Sequence, residues 1–367
     1  MSNDKMPIKF FAPREIDELR IEGSGSSEPP KWLLSGEELE KRAQGLLKDF
    51  NQFKEKISDR LDRKSVVPFV FIAKMRDDST AKSRRKDISS LFQTSEKRSV
   101  IGLVDSDELI VRLDSISDME KISNRLTDFH LNSYAISCLE SFSEFRPIID
   151  VQDDDESYKV KIINFQDYEL NLSLQRLFER KLIDNKIQFK KTKYAQQLPI
   201  YKIIVSNKAI LDELQSNNAY EMLFSIEPMP KYTVELDLLH GEESIQIKSP
   251  YEGQRYETLG ILDNGIAPIP HLTPWISGER WTVYPDKKIN PTHGTFVGGV
   301  ALYGDTLENM DWVGHKGIKL FDACIFPDET KEKLDEDDLI MNIQEAIGRN
   351  HENVKVWNLS ISVTREC

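Results

Sequence analysis

Two short segments hold the side chains best suited to chemistry. The first, Thr258-Leu259-Gly260-Ile261-Leu262-Asp263-Asn264-Gly265-Ile266, is an apolar run closed by an acid and a turn dipeptide. Such a run reads as a buried parallel strand, and its carboxyl end delivers Asp263 to the rim of a sheet, where ligands and reactive groups gather in α/β proteins. The second, Pro291-Thr292-His293-Gly294-Thr295-Phe296-Val297-Gly298-Gly299-Val300-Ala301, places an imidazole at the start of an apparent helix, thirty positions after Asp263. Carboxylates and imidazoles are the usual side chains of acid–base chemistry near neutral pH. Taken singly, each has a plainer explanation: an Asp opening an Asn-Gly turn, and a polar residue at a helix end.

The elements that must position these groups leave their own mark. Each glycine inside a helix costs about 1 kcal/mol relative to alanine, so Gly294, Gly298 and Gly299 imply a demand for missing side chains. Gly294 and Gly298 fall on one helical face, which lets the helix backbone run close against a sheet while His293 sits near the strand ends.

Taken together, Asp263-Asn264-Gly265 and His293-Gly294-Thr295-x-Val297-x-Gly299 resemble, in order and spacing, the Asp and His signatures of the subtilisin-like serine peptidases. Further landmarks agree. His271-Leu272 resembles the pair that often follows the Asp motif, and Ile318 to Phe326 resembles the strand after the His helix. Asp338 to Asn350 is similar to the next helix, and Val354 to Ser362 to the strand that follows it. The resemblance covers about residues 252 to 367. It implies an incomplete subtilisin-like parallel sheet in which Asp263 accepts a hydrogen bond from one nitrogen of His293. His293 would act as general base for a serine attacking a peptide carbonyl. Ser360, Ile361 and Ser362 would pair with substrate backbone as an added strand. Departures from the pattern are Asn264 for Ser or Thr, Phe296 for a second His, Gly298 for Ala and Ser362 for Gly. No Gly-Thr-Ser-x-x-x-Pro follows and no oxyanion-hole Asn, so the chain by itself is expected to be inert as a protease. The expected function is a serine-type endopeptidase represented by its N-terminal part. A non-catalytic pseudoprotease or regulatory binding module is the first alternative. A nucleotide-binding domain with an Asp-x-Gly-x-Gly box is the second, weakened by Ala267 in place of the second Gly.

Upstream, the pattern predicts α+β units: a tail and helix over 1–60, a mixed unit over 61–150, and a β-α-β-β-α-β, ferredoxin-like unit over 151–235. The catalytic part is expected over 250–367, giving an α/β chain preceded by α+β. Phe224-Ser225-Ile226-Glu227-Pro228 resembles the end of a subtilase propeptide. Gly23 to Pro30 reads as a linker, Ser35 with Glu38 as a capping box ahead of a helix, and Lys208 to Gln215 as a helix.

The 367 residues, 39% hydrophobic and 30% charged, describe an ordinary globular protein with no signal or membrane-spanning segment. A net charge of -13 argues against nucleic acid as a partner. The basic group Lys82, Arg84, Arg85 and Lys86 reads as a solvated loop. Three cysteines without paired spacing fit a reducing cytoplasm. The expected partners are a protein or peptide substrate and, as an open alternative, a complementing chain supplying the Ser segment. No cofactor is expected. Calcium is common in the resembled family, but Asp335, Asp337 and Asp338 read as an acidic helix start and no calcium site is assignable.

Overall fold

The computed structural model describes residues 32–62, 65–76, 82–150, 157–195, 198–205, 221–233, 246–307, 317–328 and 330–363. The Gly23–Pro30 linker, the Lys208–Gln215 helix and Cys367 lie outside them. The described residues fall into two compact units, one within Pro13–Pro228 and one within Met229–Cys367. Among them, no helix is long and apolar enough to cross a membrane.

The first unit opens with α1 (Gly36–Asn51), whose stripe of Leu39, Ala43, Leu46 and Phe50 is buried. Ser35 has the extended N-cap backbone expected of it, but its hydroxyl makes no cap hydrogen bond. After α2 (Lys54–Asp62) come β1 (Phe69–Met75), α3 (Lys82–Phe92), β2 (Val100–Asp105) and β3 (Glu108–Leu113). Then follow α4 (Ile116–Thr127), α5 (Ser133–Cys138) and β4 (Leu139–Glu144). The four strands pair in the order β2-β3-β1-β4, with β1 antiparallel to both neighbours. Alternate residues of β1 serve two cores. Phe69, Phe71 and Met75 pack with Leu46, Phe50 and Phe92, whereas Val70 and Ile72 join Tyr158, Val160 and Leu174. Burial on both faces explains why the strand reads apolar without alternation.

The region around Lys82, Arg84, Arg85 and Lys86 corrects a sequence expectation: it opens helix α3 and is not a loop. Ile88, Leu91 and Phe92, at helical spacing and fully buried, anchor that helix despite its charged beginning.

A second sheet in this unit contains β5 (Ile148–Ile149), β6 (Ser157–Ile162), β7 (Gln188–Ala195), β8 (Leu198–Ile204) and β9 (Leu223–Pro228), in the order β5-β9-β6-β8-β7. Between β6 and β7 runs α6 (Tyr168–Asp184), started by Asp167, whose carboxylate accepts from Leu170 N at 3.2 Å. Pairing is antiparallel throughout β9-β6-β8-β7.

The second unit combines a parallel sheet with a short antiparallel one. Its elements are β10 (Lys231–Thr233), β11 (Thr258–Asp263), β12 (Trp281–Thr282), α7 (Thr292–Leu307), β13 (Lys319–Cys324), β14 (Leu334–Asp335), α8 (Glu336–Asn350), β15 (Val356–Leu359) and β16 (Ser362–Val363). The parallel sheet has the order β12-β13-β11-β15, and β14-β10-β16 form the antiparallel one. Successive residues of β11 face opposite ways. Ile261 packs with Leu302, Tyr303 and Leu320 on the α7 side, and Leu262 with Phe321, Leu339 and Ala346 on the α8 side. Crossovers that leave β11 toward β13 and return to β15 place their helices on opposite faces when both are right-handed. The described residues thus form a mixed α/β protein with several sheets, including a parallel one. A side chain at Gly260 would meet the Trp357 ring at 2.2 Å, so this glycine is the seat of the cross-strand indole.

Candidate functional site

Strand β11 is flanked on both sides, with Leu262 opposite Ala323 and Leu359, and its last residue, Asp263, opposite Cys324. Pleating sends Asp263 to the same face as Ile261, which is the face covered by α7. There the Asp263 carboxylate is fully buried, and His293 Nδ1 lies 2.8 Å from each of its oxygens. The imidazole itself keeps 13% of its side-chain surface in solvent. The two residues singled out by sequence are therefore in contact, one buried and one partly exposed.

Three consecutive residues of the first turn of α7 hold the end of β11. His293 holds Asp263; Gly294 N donates to Asn264 Oδ1 at 2.9 Å; and Thr295 Oγ1 accepts from Ala267 N at 2.8 Å. Asn264 N in turn donates to Asp263 Oδ1 at 2.8 Å. Helix starts carry unpaired N–H groups, and Asn264 satisfies one of them from across the strand–helix junction. The glycine face expected of Gly294 and Gly298 exists at both positions. At Gly294 a side chain would meet Gly265 O at 2.3 Å, and at Gly298 it would meet Leu320 Cδ1 at 3.3 Å. Gly299 faces open space, so no contact requires it.

A further pair supports the loop after Asp263. Asp322, buried on β13 on this same face, accepts from Ile266 N at 3.0 Å and from Arg280 Nε at 2.6 Å. Arg280 Nη2 also donates to Ile266 O at 2.6 Å. Arg280 and Asp322 thereby grip both polar groups of the Ile266 backbone. Asn264, Thr295, Arg280 and Asp322 were not recognised from sequence as parts of the site. The signal for Asp322 was available: an acid inside Leu320-Phe321-Asp322-Ala323-Cys324 must find a partner once the strand is buried.

Burial pushes the Asp263 carboxyl above its ordinary value, against the lowering effect of the bonds from Asn264 N–H and His293; Asp322 adds to the rise. Asp322 is pushed up by burial as well, with Arg280 opposing. The sign of the consequence follows. A carboxyl whose folded value exceeds its unfolded value of about 3.9 loses stability on ionising; the loss is absent below that value and complete above the folded one. Asp263→Asn should therefore melt no lower than the unaltered protein at pH 7, and any gain should shrink as pH falls toward about 4 and be absent below it. Thermal melts across that range check this, and a clearly lower melting temperature at pH 7 would show that the hydrogen bonds to the carboxylate outweigh desolvation. In the same variant the imidazole Nδ1–H resonance should disappear, because the amide NH2 can donate to Nδ1 where the carboxylate could only accept.

Ser360, Ile361 and Ser362 leave the sheet after Leu359, at the same end as Asp263. Ser360 Oγ donates to Asn358 Oδ1 at 2.9 Å, and Ile361 packs on the α8-side core. Ser362 pairs with Thr233 of β10, so a strand of this chain lies along the edge expected to receive another polypeptide. Asp335, at the N-cap of α8, and Asp337 and Asp338 in its first turn bring carboxylate oxygens within 4.8 Å of one another, at the helix end that favours negative charge.

Comparison with protein-family models, with curated proteins and with solved structures found no match for the chain.

Proposed function

We propose that this chain is the N-terminal part of a subtilisin-like serine endopeptidase and contributes the base and its orienting acid. The observation that carries the reading is the buried Asp263 carboxylate, 2.8 Å from His293 Nδ1, on the carboxyl rim of a parallel sheet. In this reading Asp263 fixes the ring with Nδ1–H toward itself, so that Nε2 is the proton acceptor. The serine hydroxyl proton passes to Nε2 as Oγ bonds to the substrate carbonyl carbon. The resulting imidazolium is stabilised by the Asp263 charge and returns the proton to the departing amine. Ser360, Ile361 and Ser362 supply main-chain pairing for an extended peptide substrate.

The upstream sheet order β9-β6-β8-β7, with α6 following β6, is that of a ferredoxin-like unit and supports a propeptide-like role for residues 151–235. Cys138 and Cys324, both buried, suit a reducing, cytoplasmic setting. No residue within the sequence matches the Ser signature, so the nucleophile must come from a further segment of the same product or from a companion chain.

The test is fluorophosphonate labelling of the native gene product in its source extract, beside His293→Ala. Labelling of a serine that falls by about 10⁴-fold or more in the variant supports the reading. Labelling that ignores His293, or none at all, overturns it in favour of a non-catalytic binding module.

A further inference from the structure

The run from Asp263 to Ile266, where the chain leaves β11, is buried at every residue. Buried loops are uncommon because their backbone N–H and C=O groups need partners that no regular element supplies. The Asp263 carboxylate takes the N–H of Asn264, and the other partners are brought from elsewhere in the chain. Asp322 Oδ2 accepts from Ile266 N at 3.0 Å, and Arg280 Nη2 donates to Ile266 O at 2.6 Å.

Arg280 does more than fill a hydrogen bond. It belongs to neither β11 nor α7, and its planar fork holds two acceptors at once, Asp322 Oδ2 through Nε and Ile266 O through Nη2, each at 2.6 Å. The guanidinium also backs Gly265, whose φ of +104° lies in the left-handed region. A side chain there would meet Arg280 Cζ at 3.5 Å and Ile289 Cγ2 at 3.3 Å. The Gly265 carbonyl is in turn the surface on which α7 rests, since a methyl on Gly294 would stand 2.3 Å from that oxygen. Guanidinium, Gly265 and Gly294 are therefore packed in series, and the next residue is His293. If Gly265 retreats into space left by Arg280, the contact that sets how near the first turn of α7 comes to Asp263 is lost.

We propose that Arg280 is a positioning residue for His293: anchored by Asp322, it holds Gly265 and Ile266 against the first turn of α7 and so fixes the approach of the imidazole to Asp263. This rests on the reading of His293 as the base of the site, but its test observes the imidazole directly and is independent of any serine.

The experiment is NMR of the full chain with isotopically labelled histidine, the His293 signal being identified by its loss in His293→Ala. The observable is solvent exchange of the proton between Nδ1 and Asp263. The main variant is Arg280→Met/Asp322→Asn, which removes the uncompensated charge together with the clamp and so separates stability from positioning. Exchange should be about tenfold faster than in the unaltered chain, because nothing replaces the grip on Ile266 O or the backing of Gly265. Lys248→Met is the control. Lys248 Nζ donates to Leu302 O at 3.2 Å and to Asp305 Oδ1 at 2.6 Å, toward the other end of α7, so its loss should leave His293 exchange within about twofold. Should the double variant fail to fold, Arg280→Lys, which keeps the charge but lacks the fork, must show the faster exchange instead. Unchanged exchange in the folded double variant, or in Arg280→Lys where that stands in for it, would overturn the proposal and leave Arg280 a stability element alone. Equal acceleration in Lys248→Met would overturn it as well, since the signal would then follow the helix as a whole and not the packing at Gly265. A native product that labels with the fluorophosphonate should do so about 10²-fold more slowly when it carries the double change, the cost of misplacing a reacting group by about 1 Å. A native product that does not label would remove the peptidase reading and leave the exchange result to decide the role of Arg280.

Discussion

Gly294→Ala is expected to separate His293 from Asp263. The added methyl would sit 2.3 Å from Gly265 O and 3.1 Å from Asp263 Cβ, and the first of these is backbone that cannot rotate away. Either α7 lifts from the strand end or the Asn264–Gly265 turn rearranges. Both break the run of contacts made by His293, Gly294 and Thr295. Overpacking of this kind costs about 1–3 kcal/mol. Chemical denaturation should show that loss, and imidazole NMR should show the Nδ1–H bond weakened or gone. Gly299→Ala is the matched control in the same helix. Its methyl meets nothing within 4 Å, so the helix-propensity gain of up to about 1 kcal/mol should come through, with the His293 spectrum unchanged. If both variants behaved alike, helix propensity and not the close approach would be governing Gly294.

Arg280→Met is expected to cost about 3 kcal/mol, the lower end of the range for stripping a partner from a buried charge. The lower end applies because Arg280 keeps 28% of its side-chain surface exposed, whereas Asp322 keeps 4%. After the change Asp322 retains the bond from Ile266 N but no cation, and among the described residues its Oδ1 already has no hydrogen-bond partner. Combining Arg280→Met with Asp322→Asn should recover a substantial part of the loss, since the uncompensated charge goes with it. Denaturant titrations of the two single variants and the double variant close the cycle. Additive losses would mean that Arg280 and Asp322 do not act as a pair.

How far the sequence reveals the site depends on how local each determinant is. Asp263 and His293 were legible because each ends or begins an element with a strong pattern: an apolar strand in one case and a glycine-faced helix in the other. Their partners were less so. Asn264 looked like half of a turn dipeptide, yet its side chain reaches Gly294 thirty residues on. Arg280 lies in a stretch without periodicity, where nothing local announces that it meets Asp322 forty-two residues later.

The same distinction runs through the fold. β3 (Glu108–Leu113) is legible as a short run in which Leu109, β-branched Ile110 and Val111 follow one another, and that run is buried. Helix α3 was hidden by the charges at its start, although Ile88, Leu91 and Phe92 carried the helical spacing. The seating of Lys231–Thr233 between Leu334–Asp335 and Ser362–Val363 could not be read at all. It joins segments about a hundred residues apart or more through main-chain pairing, which leaves little trace in residue identity.

The triple fastening of α7 to β11 also bears on motion. Helix ends ordinarily fray, opening and closing far more readily than helix centres, and a side chain on the first turn shares those excursions. Here the opening turn is fixed through His293, Gly294 and Thr295 to residues 263, 264 and 267, one of the fastenings being buried and two partly so. The imidazole is therefore carried on a helix terminus with the rigidity of a helix interior. Its freedom reduces to rotation about its own side-chain bonds, with Asp263 opposing even that, so its aim is set before any ligand arrives.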